Sequence, residues 1–249
     1  MSEWDWVTGN SPRGMLSYLR DRLSERKRRL FACACCHMVR HLIVDERSWQ
    51  AVELAERHAD GLVSATELDA AAEVANGIYL DREDPVRCRA AEAAFRSAIT
   101  STFAEELWQL DLVWSDAALA LEGHALETSS GLGPEETREM LENWCEAWGG
   151  SGEPMGWTDP DPSAEMANVL RCILGNPFRP ATLDPAWRTS TVVALATGIY
   201  DDRAFDRLPI LADALQDAGC TSDDILNHCR DAGPHARGCW VVDLVLGKQ

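Results

Sequence analysis

The sequence has no apolar run of the roughly 20 residues needed to span a bilayer. It has no convincing period-2 alternation, and no CxxC pair followed by a second one. It is also short of positive charge, with 23 Lys and Arg against 41 Asp and Glu and a net charge of −18. Each shortage closes a class: a helical membrane span, a sheet-based fold, a zinc finger or ribbon, and a surface for phosphate backbones. The last is sharpest between Ser101 and Leu170, where fifteen acids from Glu105 to Glu165 meet the single base Arg138. Phosphates are repelled from such a surface, so direct nucleic-acid binding is not expected. GLGP at 131–134 precedes a helix but lacks the lysine and hydroxyl residue of a P-loop. The opening MSEWDWVTGN lacks the charged-then-apolar layout of a signal peptide, so the expected location is cytoplasmic. Nine cysteines, an odd number without framework spacing, then read mostly as reduced thiols packed as small hydrophobes.

What is present points to an all-α protein, a multi-helix bundle or irregular helical array. Apolar residues make up 46% of 249, with ten tryptophans spread along the chain, enough for a sizeable core. Ser11-Pro12, Ser24, Asp45, Thr66, Pro134, Ser163, Thr189, Asp206 and Thr221 each read as a helix start, and Ala236 or Arg237 as the start of the last helix. The alanine-rich stretch from Pro85 to about Leu126 reads as one bent helix or two, with Phe95, Phe103, Leu107, Leu110 and Trp114 as core contacts. Leu141, Trp144, Cys145 and Trp148 form one apolar stripe at helical spacing.

Three regions are expected: residues 1–148, helical with an acidic second half; 149–162, a Gly/Pro-rich linker; and 163–249, helical and packed against residues 12–44. VANGIYLDR at 74–82 and LATGIYDDR at 195–203 match at six of nine positions, compatible with a duplicated helical unit or with chance. Eight bases between Arg13 and Arg40 face only Asp21 and Glu25. They offer a patch for an acidic ligand or, as we prefer, a helix paired with the acidic remainder of the chain.

Cysteine and histidine crowd into two stretches, Cys33, Cys35, Cys36, His37 and His41, and then His228, Cys229, His235 and Cys239. On a helix over 24–44, Cys33, His37 and His41 form a ladder at i, i+4, i+8 beside the apolar face of Leu30, Phe31, Ala34, Met38 and Leu42. His235, Cys239 and Asp243 form a second ladder if the last helix starts early enough. Two facing ladders supply a tetrahedral site of the zinc type, with Cys33, His37, His235 and Cys239 as ligands. Cys36, His41 and Asp243 would be further ligands or hydrogen-bond partners of those ligands. The competing account is that these residues simply pack the core. A cysteine nucleophile has many Cys/His combinations to choose from and no local signature, so an enzyme is not expected.

The loop from Gly175 to Arg188 sets Phe178, Arg179, Trp187 and Arg188 among three prolines. These residues suit recognition of a peptide or acidic group, or a clamp between helix layers. The preferred reading is therefore a non-enzymatic helical interaction or adaptor module with a protein partner. The alternative is a metal-binding protein, structural or catalytic, with its site between the second and last helices. GNPFRP at 175–180, LDPAW at 183–187, YDDRAFDRLPILADALQDAGC at 200–220, GPHARGCWVVDLVLGK at 233–248 and ERKRRLFACACC at 25–36 resemble the motifs of a bacterial protein family. That resemblance brings no activity, ligand or catalytic residue with it.

Overall fold

Among the described residues, side-chain caps mark several of the helix starts. The computed structural model describes residues 1–19, 22–79, 84–98, 108–149 and 162–248, with the backbone alone at 78–79, 108–112, 114 and 144–149. Among the described residues there are thirteen α-helices and no strand, an all-α array. None of these helices is long and apolar enough to cross a membrane. The residues group into two compact units, Leu19–Met166 and a second made of Met1–Tyr18 with Ala167–Gln249. Of the 12–44 stretch expected to pack on the C-terminal region, Pro12–Tyr18 thus belongs to the same unit. Apart from its ends, the proposed 149–162 linker lies outside the described residues.

The Leu19–Met166 unit is built around α3 (Glu25–Met38), whose residues from Arg29 to Cys36 are all buried. Ser24 starts it by accepting from the Lys27 N–H, and Asp45 starts α4 (Glu46–Ala59) by accepting from Arg47 N–H. Ser64 and Glu67 exchange hydrogen bonds at the head of α5 (Ala65–Tyr79), a reciprocal cap. The alanine-rich stretch is two helices, α6 (Pro85–Ala98) and α7 (Trp108–Ala125). Its core is alanine: Ala90, Ala93, Ala94, Ala98, Ala117, Ala118 and Ala120 are fully buried, and such small residues allow close helix approach. Phe95 is only half-buried. Phe103 and Leu107, and the side chains of Leu110, Trp114, Trp144, Cys145 and Trp148, lie outside the described residues. α7 ends in a wide turn at Leu126–Ser130 and the left-handed Gly131, and α8 (Pro134–Gly149) follows.

Part of the basic run between Arg13 and Arg40 is paired. Arg26 bonds Asp60 at 3.2 Å, Arg40 bonds Glu46 at 3.3 Å, and the fully buried Arg29 donates to Glu25 and to the Ser97 carbonyl, each at 3.1 Å. A second charged group joins α6 to α7. Arg89 donates to Glu92 at 3.2 Å and Asp116 at 3.3 Å, while Arg96 holds Asp116 at 3.0 Å and also bonds Glu92.

Burial and the Glu92 carboxylate push Asp116 up to about 7, against the two guanidiniums. The folded chain therefore keeps a proton there that the unfolded chain has released, and the stability this contributes is lost as pH rises through about 7. Between about pH 4 and 7 the Asp116→Asn variant is expected to show a flatter decline in denaturation free energy than the wild type. Parallel profiles for the two proteins would reject this assignment.

In the second unit, α1 (Glu3–Thr8) and α2 (Pro12–Tyr18) join the part of α9 (Pro162–Leu174) from Ala167 onward, α10 (Ser190–Asp202), α11 (Leu208–Asp217), α12 (Asp223–Arg230) and α13 (Trp240–Leu246). α10 packs on α11 and α13, and α12 packs on α11 and α13. Between them Val192, Ile199, Leu211, Leu215, Ile225, Val241 and Val245 are fully buried. Thr189 caps α10 as expected, but Ser163 lies inside α9, which begins one residue earlier. Asp206 sits in a short turn, Phe205–Arg207, ahead of α11. Gly175 ends α9 at φ 68°, and a Cβ there would stand 3.1 Å from the Trp240 ring, so both conformation and space call for glycine.

Candidate metal centre

The last helix begins at Trp240, later than the expected Ala236 or Arg237, because Gly238 takes φ 91° and interrupts any helix running in from His235. The ladder of His235, Cys239 and Asp243 is therefore not a helical one. Cys239 is the residue that precedes α13, and His235 stands on the irregular segment between α12 and α13. That segment has its own fixed geometry. The Asp231 carboxylate accepts from Gly233 N–H at 3.2 Å, and His235 Nε2–H donates to the Asp231 carbonyl at 3.1 Å. Committing Nε2 as donor leaves His235 Nδ1 as the basic nitrogen.

That nitrogen lies 3.5 Å from Cys172 Sγ on α9, and His228 Nε2 on α12 lies 3.2 Å from Cys239 Sγ. The four donor atoms, Cys172 Sγ, His228 Nε2, His235 Nδ1 and Cys239 Sγ, all fall within 4.8 Å of one another. Metal–ligand bonds of about 2.0–2.3 Å give a tetrahedron with edges of about 3.3–3.8 Å. Of the two separations, 3.5 Å falls in this range and 3.2 Å just below it, and the four donors could hold a metal ion. Cys172 and Cys239 are buried and the two imidazoles half-buried. His228 packs edge-on against His235 at 5.0 Å and tilts over Trp240 at 5.2 Å.

Electrostatics favour an anionic Cys239. Burial raises its thiol, but bonds from Cys172, His228 and His235 outweigh burial and hold it well below the ordinary thiol range. For His235 burial works downward, and the bonds to Cys239 and the Asp231 carbonyl carry it above its usual value. Cys229, the neighbour of His228, has a different environment: burial and the nearby Cys239 and Cys220 push it up, and it packs in the apolar core as a thiol.

Of the four ligands read from sequence, the structure brings His235 and Cys239 together and joins them to Cys172 and His228. Cys33 and His37 belong to the other unit. There Cys33 Sγ donates to the Val52 carbonyl at 3.8 Å, and His37 Nε2 donates to the buried Glu56 at 3.0 Å, edge-on to Trp49. α3 ends at Met38, so His41 leaves the ladder for a short turn, where its ring meets His124 at 5.5 Å. Cys36 is fully buried, its thiol raised to about 12 by burial, with Ser97 and Asp116 as its polar neighbours. Asp243 is buried within α13 and outside the four-donor group.

The four residues singled out in the 175–188 loop make contacts inside their own unit. Phe178 stacks on Tyr18 with centroids 5.2 Å apart, Arg179 pairs with Glu3 at 2.5 Å, Trp187 packs against the core, and Arg188 donates to the Val245 carbonyl at 2.9 Å. Fold and site together define an all-α protein whose C-terminal unit carries a Cys2His2 cluster. Compared with family models, curated proteins and solved structures, the chain matches none.

Proposed function

We propose that this chain is a metal-binding protein in which Cys172, His228, His235 and Cys239 hold one zinc ion, and that the ion is structural. The observation that supports this reading is the convergence of two sulfurs and two imidazole nitrogens within 4.8 Å. Two thiolates and two imidazoles suit zinc, and a set of four protein donors leaves no open position for a substrate or water. Two thiolates also neutralise the dication, which suits a site with little solvent. The ion would tie α9, the end of α12 and the 231–239 segment into one unit.

Elemental analysis of protein purified without an affinity-tag metal tests this. One zinc per chain is expected in the wild type and in Cys33→Ser, with none in Cys172→Ser or Cys239→Ser. A wild type devoid of metal rejects the reading. A second reading, a helical module that binds a protein partner, has the outer face of α1 in its favour, where Trp4 is 74% exposed and Val7 54%.

A further inference from the structure

We propose that the metal centre is also a redox switch, in which a peroxide joins Cys172 to Cys239 as a disulfide and expels the zinc. The inference rests on the zinc reading of the site. Its structural ground is the way the two sulfurs are mounted. Both sulfurs belong to the core of their unit, but Cys172 sits on the regular helix α9, whereas Cys239 stands at the end of an irregular nine-residue stretch, 231–239, directly after Gly238 at φ 91°.

Two sulfurs on one edge of a zinc tetrahedron lie about 3.8 Å apart, and a disulfide needs about 2.05 Å. The bond thus requires a movement of about 1.7 Å, and the 231–239 segment, which lies between helices rather than within one, is the side on which to make it. Zinc binding itself keeps both sulfurs as thiolates, the reactive form. The half-buried imidazoles of His228 and His235 form the more open side of the group, through which a small oxidant arrives.

The chemistry balances with the peroxide as the two-electron acceptor. One thiolate attacks a peroxide oxygen: an S–O bond forms, the O–O bond breaks, and the departing alkoxide or hydroxide takes up a proton. The second thiolate attacks that sulfur: the S–S bond forms, the S–O bond breaks, and hydroxide leaves and is protonated to water. Two sulfurs have each given one electron. The metal has lost both anionic ligands and keeps only two neutral imidazoles, which do not retain zinc in water. A dithiol reductant restores the thiolates and the site.

Cys229 and Cys220 share the core with Cys172 and Cys239 but lie outside the donor group, while Cys33, Cys35 and Cys36 are buried, and Cys88 half-buried, in the other unit.

The test uses the full chain. Zinc content is measured first, the protein is then treated with hydrogen peroxide in the presence of a colorimetric zinc indicator, and the products are mapped by mass spectrometry under non-reducing conditions. The expected result is loss of the one zinc per chain together with a cross-link between the Cys172 and Cys239 peptides, and recovery of zinc binding after dithiol reduction. Cys229→Ser, where it folds, follows the wild type. Zinc retained while other thiols oxidise, or released with a cross-link elsewhere or with sulfinic acid at Cys239, overturns the switch and leaves the zinc reading standing. A chain that carries no zinc before the peroxide is added overturns both.

Discussion

A strong chelator added to zinc-saturated protein is expected to lower the unfolding midpoint of the C-terminal unit by more than about 10 °C. The size follows from linkage. A ligand that binds only the folded state at a thousand times its dissociation constant stabilises that state by about 4 kcal/mol, and each kcal/mol moves a domain of about 100 residues by roughly 4–8 °C. Structural zinc sites reach higher saturation than this, so the figure is a lower bound. Cys172→Ser should show the low midpoint from the outset and no further response to chelator. Hydrogen exchange should report protection lost first over α12 and α13, whose ends the ion holds. An unchanged wild-type midpoint after chelation would show that the four side chains hold the unit by hydrogen bonds alone.

Cys172 carries that prediction, and it is also the ligand least visible in the sequence. It stands alone between Arg171 and Ile173 on an amphipathic helix, where a cysteine reads as a small hydrophobe. Its partners come from 56 and more positions away, and one sequence holds no signal that links them. His228, His235 and Cys239 were visible as a cluster, but helical spacing is the wrong rule for them. Applied to His235, it requires an unbroken helix through 238, and Gly238 in the left-handed region denies it. A loop that leaves one helix and enters the next brings ligands together by its turns. Here the Asp231 carbonyl aims His235, a contact that residue spacing does not encode.

The fold was more legible because its determinants are local. Ser24, Asp45 and Thr189 each cap the helix that their position announced, since a side-chain oxygen needs only an N–H two or three residues away. Tertiary contacts were read less well. Phe95 was expected as a core contact and is half-buried, while the fully buried residues of α6 and α7 are largely alanines. That residues 1–11 join the C-terminal unit, ahead of the 12–44 stretch expected to pack there, was likewise hidden, because it depends on side chains that meet across more than 150 positions of chain.

That affiliation turns on Trp6, and Trp6→Ala is expected to cost about 3–5 kcal/mol, the usual range for deleting a buried large aromatic side chain. The indole is 1% exposed, and its Nε1–H donates to the Gly175 carbonyl at 3.1 Å. Around it the backbone is held from the other side: Arg171 Nε donates to the Trp6 carbonyl at 2.7 Å, and a second Arg171 nitrogen bonds the Gly9 carbonyl. Asn176 and Arg179 grip Glu3, the first residue of the same helix. α1 has only six residues, too few for a helix that stands alone in water. Its order therefore depends on this docking, and loss of the ring should release α1 and α2 together.

Trp6→Phe separates the two contributions: it keeps most of the apolar burial, loses the bond to Gly175, and should cost about 1 kcal/mol from that bond. Both variants are to be measured by chemical denaturation with zinc saturating, so that the metal's share stays constant, with amide exchange over residues 3–18 as the local readout. Because Arg171 and Gly175 flank Cys172 on the same stretch of chain, Trp6→Ala should also speed zinc loss to a chelator. A Trp6→Ala protein within about 0.5 kcal/mol of wild type, with α1 amides still protected, would mean that Arg171 and the Glu3 contacts hold the segment without the ring.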